Sequence, residues 1–319
     1  MNLALQSAAS PVPVMDIRRY AIDDHFEVRP PAESSWALQI WCPVIADAAY
    51  QRVLDVSVVA PQPWRMTRES EFGNVIFYGE YAGPTAASLS FTISYVIERL
   101  PTAGTLDPSR ARSLQTTQLF ARTLGLEQYV DVDERTRALA NDVVGGETNP
   151  LRQVRRIYDH VTGSMSYNAA EQSWKGSTAH ALACSVGNCN DIHALFVSLC
   201  RSIGIPARFI LGQALEAPLP GQEACDLCGY HCWAEFFIAG LGWLPADASC
   251  ACKYGRHGLF GDLELNHVAW SVGRDLLFTP PQRAGRSLFF AGPYAELDGK
   301  VYPVERHVNF SELRDGTTE

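Results

Sequence analysis

Gly187-Asn188-Cys189-Asn190-Asp191 runs straight into Ile192, Leu195, Phe196, Leu199 and Ile203. Counted from the first of these, the apolar side chains recur every three or four residues, the spacing of a helix that buries one face. Gly204 ends the pattern and Pro206 follows it, as expected just past a helix C-terminus. Cys189 therefore falls in the first helical turn, where backbone N–H groups are unpaired and the macrodipole is positive. Both effects favour a thiolate, so a depressed pKa is expected there. Its own N–H is placed to donate to a developing oxyanion. The bland alternative is a buried core thiol, and Cys184 and Cys200 are read in that way.

Downstream, His231-Cys232-Trp233-Ala234-Glu235-Phe236-Phe237-Ile238 reads as a strand, Ala239-Gly240-Leu241-Gly242 as a turn, and Trp243-Leu244-Pro245-Ala246-Asp247 as the return strand. Alternation puts His231, Trp233, Glu235 and Phe237 on one face, and Cys232, Ala234 and Phe236 on the other. A hairpin mirrored about Gly240-Leu241 pairs Ile238 with Trp243 and sets Asp247 opposite Ala234, away from His231. Contact between carboxylate and imidazole needs a bulge or a shifted turn. If it is made, Cys189, His231 and Asp247 form a nucleophile, its base and the group that orients the base.

Upstream, residues 1–105 read as β. Strong β-formers at 36–41, 53–59, 74–79 and 88–97 are separated by Pro and Gly, which suggests a small β-sandwich. Residues 101–113 are a linker candidate. A helix starting near the acidic run 131–134 ends at Gly145-Gly146, and Asn149-Pro150 caps and opens the next. The 319 residues fit about two domains, divided here as 1–105 and 106–319. A net charge of −9 argues against nucleic acid or an anionic membrane as partner. No run has the ~18 apolar residues of a membrane span, and residues 1–7 lack a secretory signal's basic start. Nine cysteines, an odd number, suit reduced thiols. A cytoplasmic location is therefore expected.

Four linked motifs resemble bacterial transglutaminase-like proteins: Gly187-Asn188-Cys189-Asn190-Asp191, the segment 201–208, His231-Cys232-Trp233-Ala234-Glu235-Phe236, and Gly242-Trp243-Leu244-Pro245-Ala246-Asp247. The segments 262–277 and 293–299 resemble the C-terminal part of that family, and the N-terminal half resembles its β-sandwich. The resemblance implies an α+β fold in which a papain-like core packs the cysteine helix on an antiparallel sheet. It also implies contact within the triad, with Cys189 as nucleophile, His231 as base and then acid, and Asp247 as orienter. The chemistry implied is acyl transfer from an amide or ester of a peptide, protein or small molecule, through a thioester, to water or an amine. No cofactor is required for it. The alternatives are a binding protein that kept the fold, and a zinc hydrolase with His231 and Cys232 as ligands. Tyr167, Gln172 and Trp174 are candidates for a second oxyanion donor. Glu235 and Arg208 are read as structural salt-bridge formers, Arg208 with an acid such as Asp191, and Trp243 as packing under the hairpin. The family pattern does not call for Cys225, Cys228, Cys250 and Cys252. A CxxC and a CxC could make a structural four-thiolate zinc site, form disulfides, or stay free.

Overall fold

The computed structural model describes residues 16–32, 35–84, 88–102, 106–170, 175–216, 225–227 and 229–313, with the side chains of 225–227 excepted. The fold is α+β, with three antiparallel sheets. Two of them form the sandwich. One has the order Cys225–Leu227, Glu305–Leu313, Arg18–Val28, Leu89–Arg99, Gln51–Val59; the other runs Lys300–Tyr302, Tyr294–Leu297, Ala37–Val44, Val75–Ala82, Trp64–Arg68. Inward residues alternate along Arg18–Val28, so that Tyr20, Ile22, Phe26 and Val28 enter the core. Phe26 stacks on Phe91 with ring centroids 4.9 Å apart. Asp24 also points inward and is fully buried. It interrupts the apolar alternation that would have flagged this strand, and it is paired with Arg306 at 2.8 Å from both oxygens. That bidentate partner makes the burial tolerable.

The sandwich is not confined to residues 1–105. Three strands from beyond residue 293, with the short strand Cys225–Leu227, complete its sheets, so the division at 105 cuts through a unit drawn mainly from the two ends of the described chain. The segment 293–299, expected within the second domain, supplies Tyr294–Leu297 of the sandwich.

Between these pieces lies the second core. Asp133 caps the helix Glu134–Val144 and Asn149 caps Pro150–Ser164, with the proline in its first turn. The helix Cys189–Ser202 packs against the sheet of Gly242–Ala246, His231–Ile238, Ala207–Ala214 and His267–Val272. This helix was expected to bury one face; Cys189 to Arg201 are all buried. Its polar face is satisfied by protein: Asp191 accepts from the Ser177 N–H at 2.9 Å, and Arg201 donates to Glu127 at 2.9 Å and to the Ala207 carbonyl at 3.0 Å. Such pairing is what lets a polar helix face be enclosed. Cys200 is a core thiol, whereas Cys184 is exposed. Among the described residues no helix is long and apolar enough to cross a membrane.

Candidate functional site

The helix carrying Cys189 begins with a capping box: the Asn188 side chain accepts from the Asp191 N–H, and Asp191 accepts from the Asn188 N–H at 3.3 Å; Asn188 also accepts from the Asn190 N–H at 2.9 Å. Gly187 is required here, because a Cβ at that position would lie 2.5 Å from the Cβ of Asp191. The cap fixes Cys189 in the first turn, pointing to a cleft of about 770 Å³ lined also by Tyr167, Tyr230, His231, Lys253 and His267.

The hairpin register differs by one residue from the mirrored one. Ile238 pairs with Gly242 and Ala234 with Ala246. The turn is thus Ala239-Gly240-Leu241, with Gly240 at φ +88° and Gly242 at φ +90°, values that favour glycine. A one-residue shift moves every following side chain to the other face. Continued past Ala246, it sets Asp247 opposite Trp233, on the side of His231. There Asp247 leaves the strand and caps the helix Ala248–Tyr254.

Asp247 is fully buried and saturated with donors. Its Oδ1 accepts from the Ser249 hydroxyl at 2.9 Å and the Cys250 N–H at 2.8 Å. Its Oδ2 lies 2.7 Å from Nε2 of His231 and 3.0 Å from Nε2 of His267. With Nε2 of His231 engaged by the carboxylate, Nδ1 is left for the thiol, and the Cys189 and His231 side chains are close enough to shift each other's ionisation. Burial pulls the His231 pKa down, but the Asp247 charge and hydrogen bond outweigh it and hold the imidazole well above its ordinary value. Burial likewise opposes ionisation of Asp247, and His231 overrides it, keeping the carboxyl well below the usual range. The neighbouring Cys232 thiol, and then His231, hold Cys189 well below the usual thiol range against the effect of burial. Cys232 shifts the opposite way, mainly through burial. A thiolate–imidazolium pair backed by a buried carboxylate can attack a carbonyl carbon and protonate a leaving group.

Several members of this site were missed in the sequence. Fully buried His193 donates from Nδ1 to the Cys189 carbonyl at 2.8 Å, while its Nε2 accepts the Ala248 N–H at 3.1 Å. It ties the nucleophile's turn to the cap at Asp247, and burial keeps it neutral. Asn190 accepts from Cys232 at 3.3 Å and donates to the Tyr230 hydroxyl at 3.0 Å. His267 has oxygens on both sides, since its Nδ1 lies 2.9 Å from Oδ1 of Asn266. The polar i, i+4 pair Cys189 and His193 was a usable signal; nothing local marked His267.

Glu235 and Arg208 form the expected structural salt bridge, with each other rather than with Asp191, at 2.6 Å. Arg208 stacks 4.0 Å over the Trp243 ring. Tyr167 lines the cleft; Gln172 and Trp174 lie outside the described residues. Cys250 and Cys252 sit two residues apart on one helix and so project about 200° apart. The Cys250 sulfur is 3.8 Å from Nε2 of His231, and that of Cys252 is 3.9 Å from the Thr162 carbonyl. The helix does not bring these two thiols together. Cys228 and the side chain of Cys225 lie outside the described residues.

Residues 137–248 match the family model described as the transglutaminase-like superfamily, core domain. An uncharacterised protein of Haemophilus influenzae is 25% identical over 322 residues, covering 89% of this chain and 87% of its own length. A crystal structure of a candidate cysteine protease from Cytophaga hutchinsonii superposes with a TM-score of 0.64 at 17% identity, over 95% of this chain and 93% of that one. Nearly the whole fold, sandwich included, is therefore shared with that protein.

Proposed function

This chain carries the core of the transglutaminase-like superfamily over residues 137–248, and on that fold we propose a cysteine-nucleophile enzyme that transfers acyl groups from amides or esters. The observation that carries the reading is the convergence of Cys189 and His231 on one cleft, with the His231 imidazole 2.7 Å from the buried Asp247 carboxylate.

The Cys189 thiolate attacks the carbonyl carbon, forming a C–S bond while the carbonyl oxygen takes up the negative charge. The Cys189 N–H in the first helical turn stabilises that oxyanion, with Tyr167 or Tyr230 in the cleft as a second donor. As the C–N or C–O bond breaks, His231 gives its proton to the departing amine or alcohol. A thioester on Cys189 remains. His231, now neutral, takes a proton from water or an incoming amine, which attacks the thioester and releases the acid or the new amide. Asp247 keeps the imidazole in one orientation throughout. The cleft of about 770 Å³ suits a peptide segment or a small acyl donor.

Intact-mass detection of an acyl adduct across a panel of amides and esters tests this. One added acyl group on the native chain, absent from Cys189→Ala, is the expected result. Turnover by Cys189→Ala at the native rate would end the proposal. A zinc hydrolase built on Cys232 gains no support, since that sulfur is engaged by Asn190.

A further inference from the structure

Four side chains converge beside the cleft: ring nitrogens of His231 and His267, a carboxylate oxygen of Asp247 and the Cys250 sulfur all lie within 4.8 Å of one another. We propose that these four residues bind one Zn²⁺ ion reversibly, and that the bound ion switches off Cys189. The binding stands on the geometry alone; the switching rests on the acyl-transfer reading above.

Two imidazoles, a carboxylate and a thiolate are a zinc donor set. Bonds of about 2.0–2.3 Å arranged as a tetrahedron separate ligand atoms by roughly 3.3–3.7 Å. The observed separations are 2.7 Å for His231 to Asp247, 3.0 Å for His267 to Asp247 and 3.8 Å for Cys250 to His231. The carboxylate oxygen must retreat by about half an ångström, and side chains at the longest separation, up to 4.8 Å, must close by about 1 Å. The outer contacts of a metal site are already present. Ser249 and the Cys250 N–H hold Oδ1 of Asp247 at 2.9 and 2.8 Å. Asn266 Oδ1 sits 2.9 Å from Nδ1 of His267. Carbonyl oxygens on the far nitrogen are the usual way to aim an imidazole at a metal.

His267 lies between Asn266 at Nδ1 and Asp247 at Nε2, and a neutral ring has one N–H to give. With an ion on the Nε2 lone pair, that N–H sits on Nδ1 and serves the Asn266 oxygen. Cys189, His231, Cys250 and His267 all line the cleft, which provides the route in. Binding releases the Cys250 thiol proton and the His231 Nε2 proton to solvent. The ion then occupies the nitrogen that Asp247 had held, and His231 can no longer shuttle a proton for Cys189.

The test uses the full chain carrying Cys189→Ala, stripped with EDTA and titrated with Zn²⁺ against a chromophoric chelator. One equivalent should bind, and adding Cys250→Ala or Cys250→Ser should weaken that binding by about 30-fold or more. Native protein should lose iodoacetamide reactivity at Cys189 with Zn²⁺ and regain it with EDTA. Three results would overturn the proposal: no binding once Cys189 is gone, which assigns the ion to a simple thiol–imidazole chelate; affinity indifferent to Cys250; or native reactivity unmoved by saturating zinc. The titration omits Cys189, so it reads the metal site whether or not the acyl-transfer reaction holds.

Discussion

Replacing Asp247 by Asn probes the site at the group that receives four hydrogen bonds. In one orientation the amide oxygen faces the two histidines, and the NH₂ then meets the Cys250 N–H, which approaches Oδ1 at 2.8 Å in the native chain. Two donors face each other there. Leaving such a buried N–H unpaired costs about 1–3 kcal/mol, enough to disfavour this orientation by roughly 5- to 150-fold. The other orientation satisfies Ser249 and Cys250 and turns the NH₂ on His231, whose Nε2 must then accept. The proton moves to Nδ1, against the thiol, and the ion pair is lost. At pH 6 an ordinary thiol of pKa about 8.5 is ~0.3% thiolate, so the reactive form falls by about 300-fold. A more basic thiolate is more nucleophilic, which returns part of that loss. The net expectation is a fall of about 10-fold in iodoacetamide labelling of Cys189 at pH 6. It is measured by peptide mass on chelator-treated protein whose near-ultraviolet dichroism is unchanged. Turnover should fall further, by about 10³–10⁴-fold, because the wrong tautomer blocks every proton transfer. Labelling within about threefold of native in a folded Asp247→Asn protein would refute the view that the carboxylate sets the imidazole's proton.

Glu127→Gln leaves the buried Arg201, 2.9 Å away, and Arg274, 3.5 Å away, without a counter-charge; urea unfolding should show a loss of about 3 kcal/mol or more, and under about 1 kcal/mol would refute the network's role. Gly187→Ala places a Cβ 2.5 Å from that of Asp191. It should cost about 1–3 kcal/mol and slow Cys189 labelling, while native labelling would mean the helix start tolerates displacement. The pKa of Asp247 is depressed in the fold, so its stabilisation is complete above the unfolded carboxyl's pKa of about 3.9 and fades as pH falls below that. The stability gap between native and Asp247→Asn chains should hold constant from about pH 6 down to about pH 4.5 and narrow in more acidic buffer; a gap that never narrows there contradicts the sign.

The nucleophile's helix was legible because its start and stop are local: Asn188 as cap, the apolar period, then Gly204. The helices after Asp133 and Asn149 were legible for the same reason. The hairpin's strands were read correctly and its register was not. Gly240 and Gly242 both take positive φ, and a pattern of residue types cannot say which flanks the loop. That single residue decides on which face Asp247 emerges. His193 was hidden by the assumption that a helix's polar face meets water. His267 joins the site through the strand His267–Val272 pairing with Ala207–Ala214, a contact between segments far apart in sequence. The sandwich was half legible. Its strands at 37–44, 51–59, 75–82 and 89–99 showed their β-formers, but the partners from beyond residue 293 are short or polar and carry no mark of the sheet they join.

The pairing of Arg18–Val28 with Glu305–Leu313, from Arg19 opposite Leu313 to Glu27 opposite Glu305, has a consequence for how the protein comes into being. The first described strand emerges from the ribosome early and waits for one of the last. Until then its sheet has an open edge, the kind that recruits foreign strands. The core that carries Cys189 is made in between, and its sheet packs on the sandwich through Leu215, Val268 and Trp270. Closure of so distant a pair is the slow, aggregation-exposed step, and the cleft is supported on all sides only once it is complete.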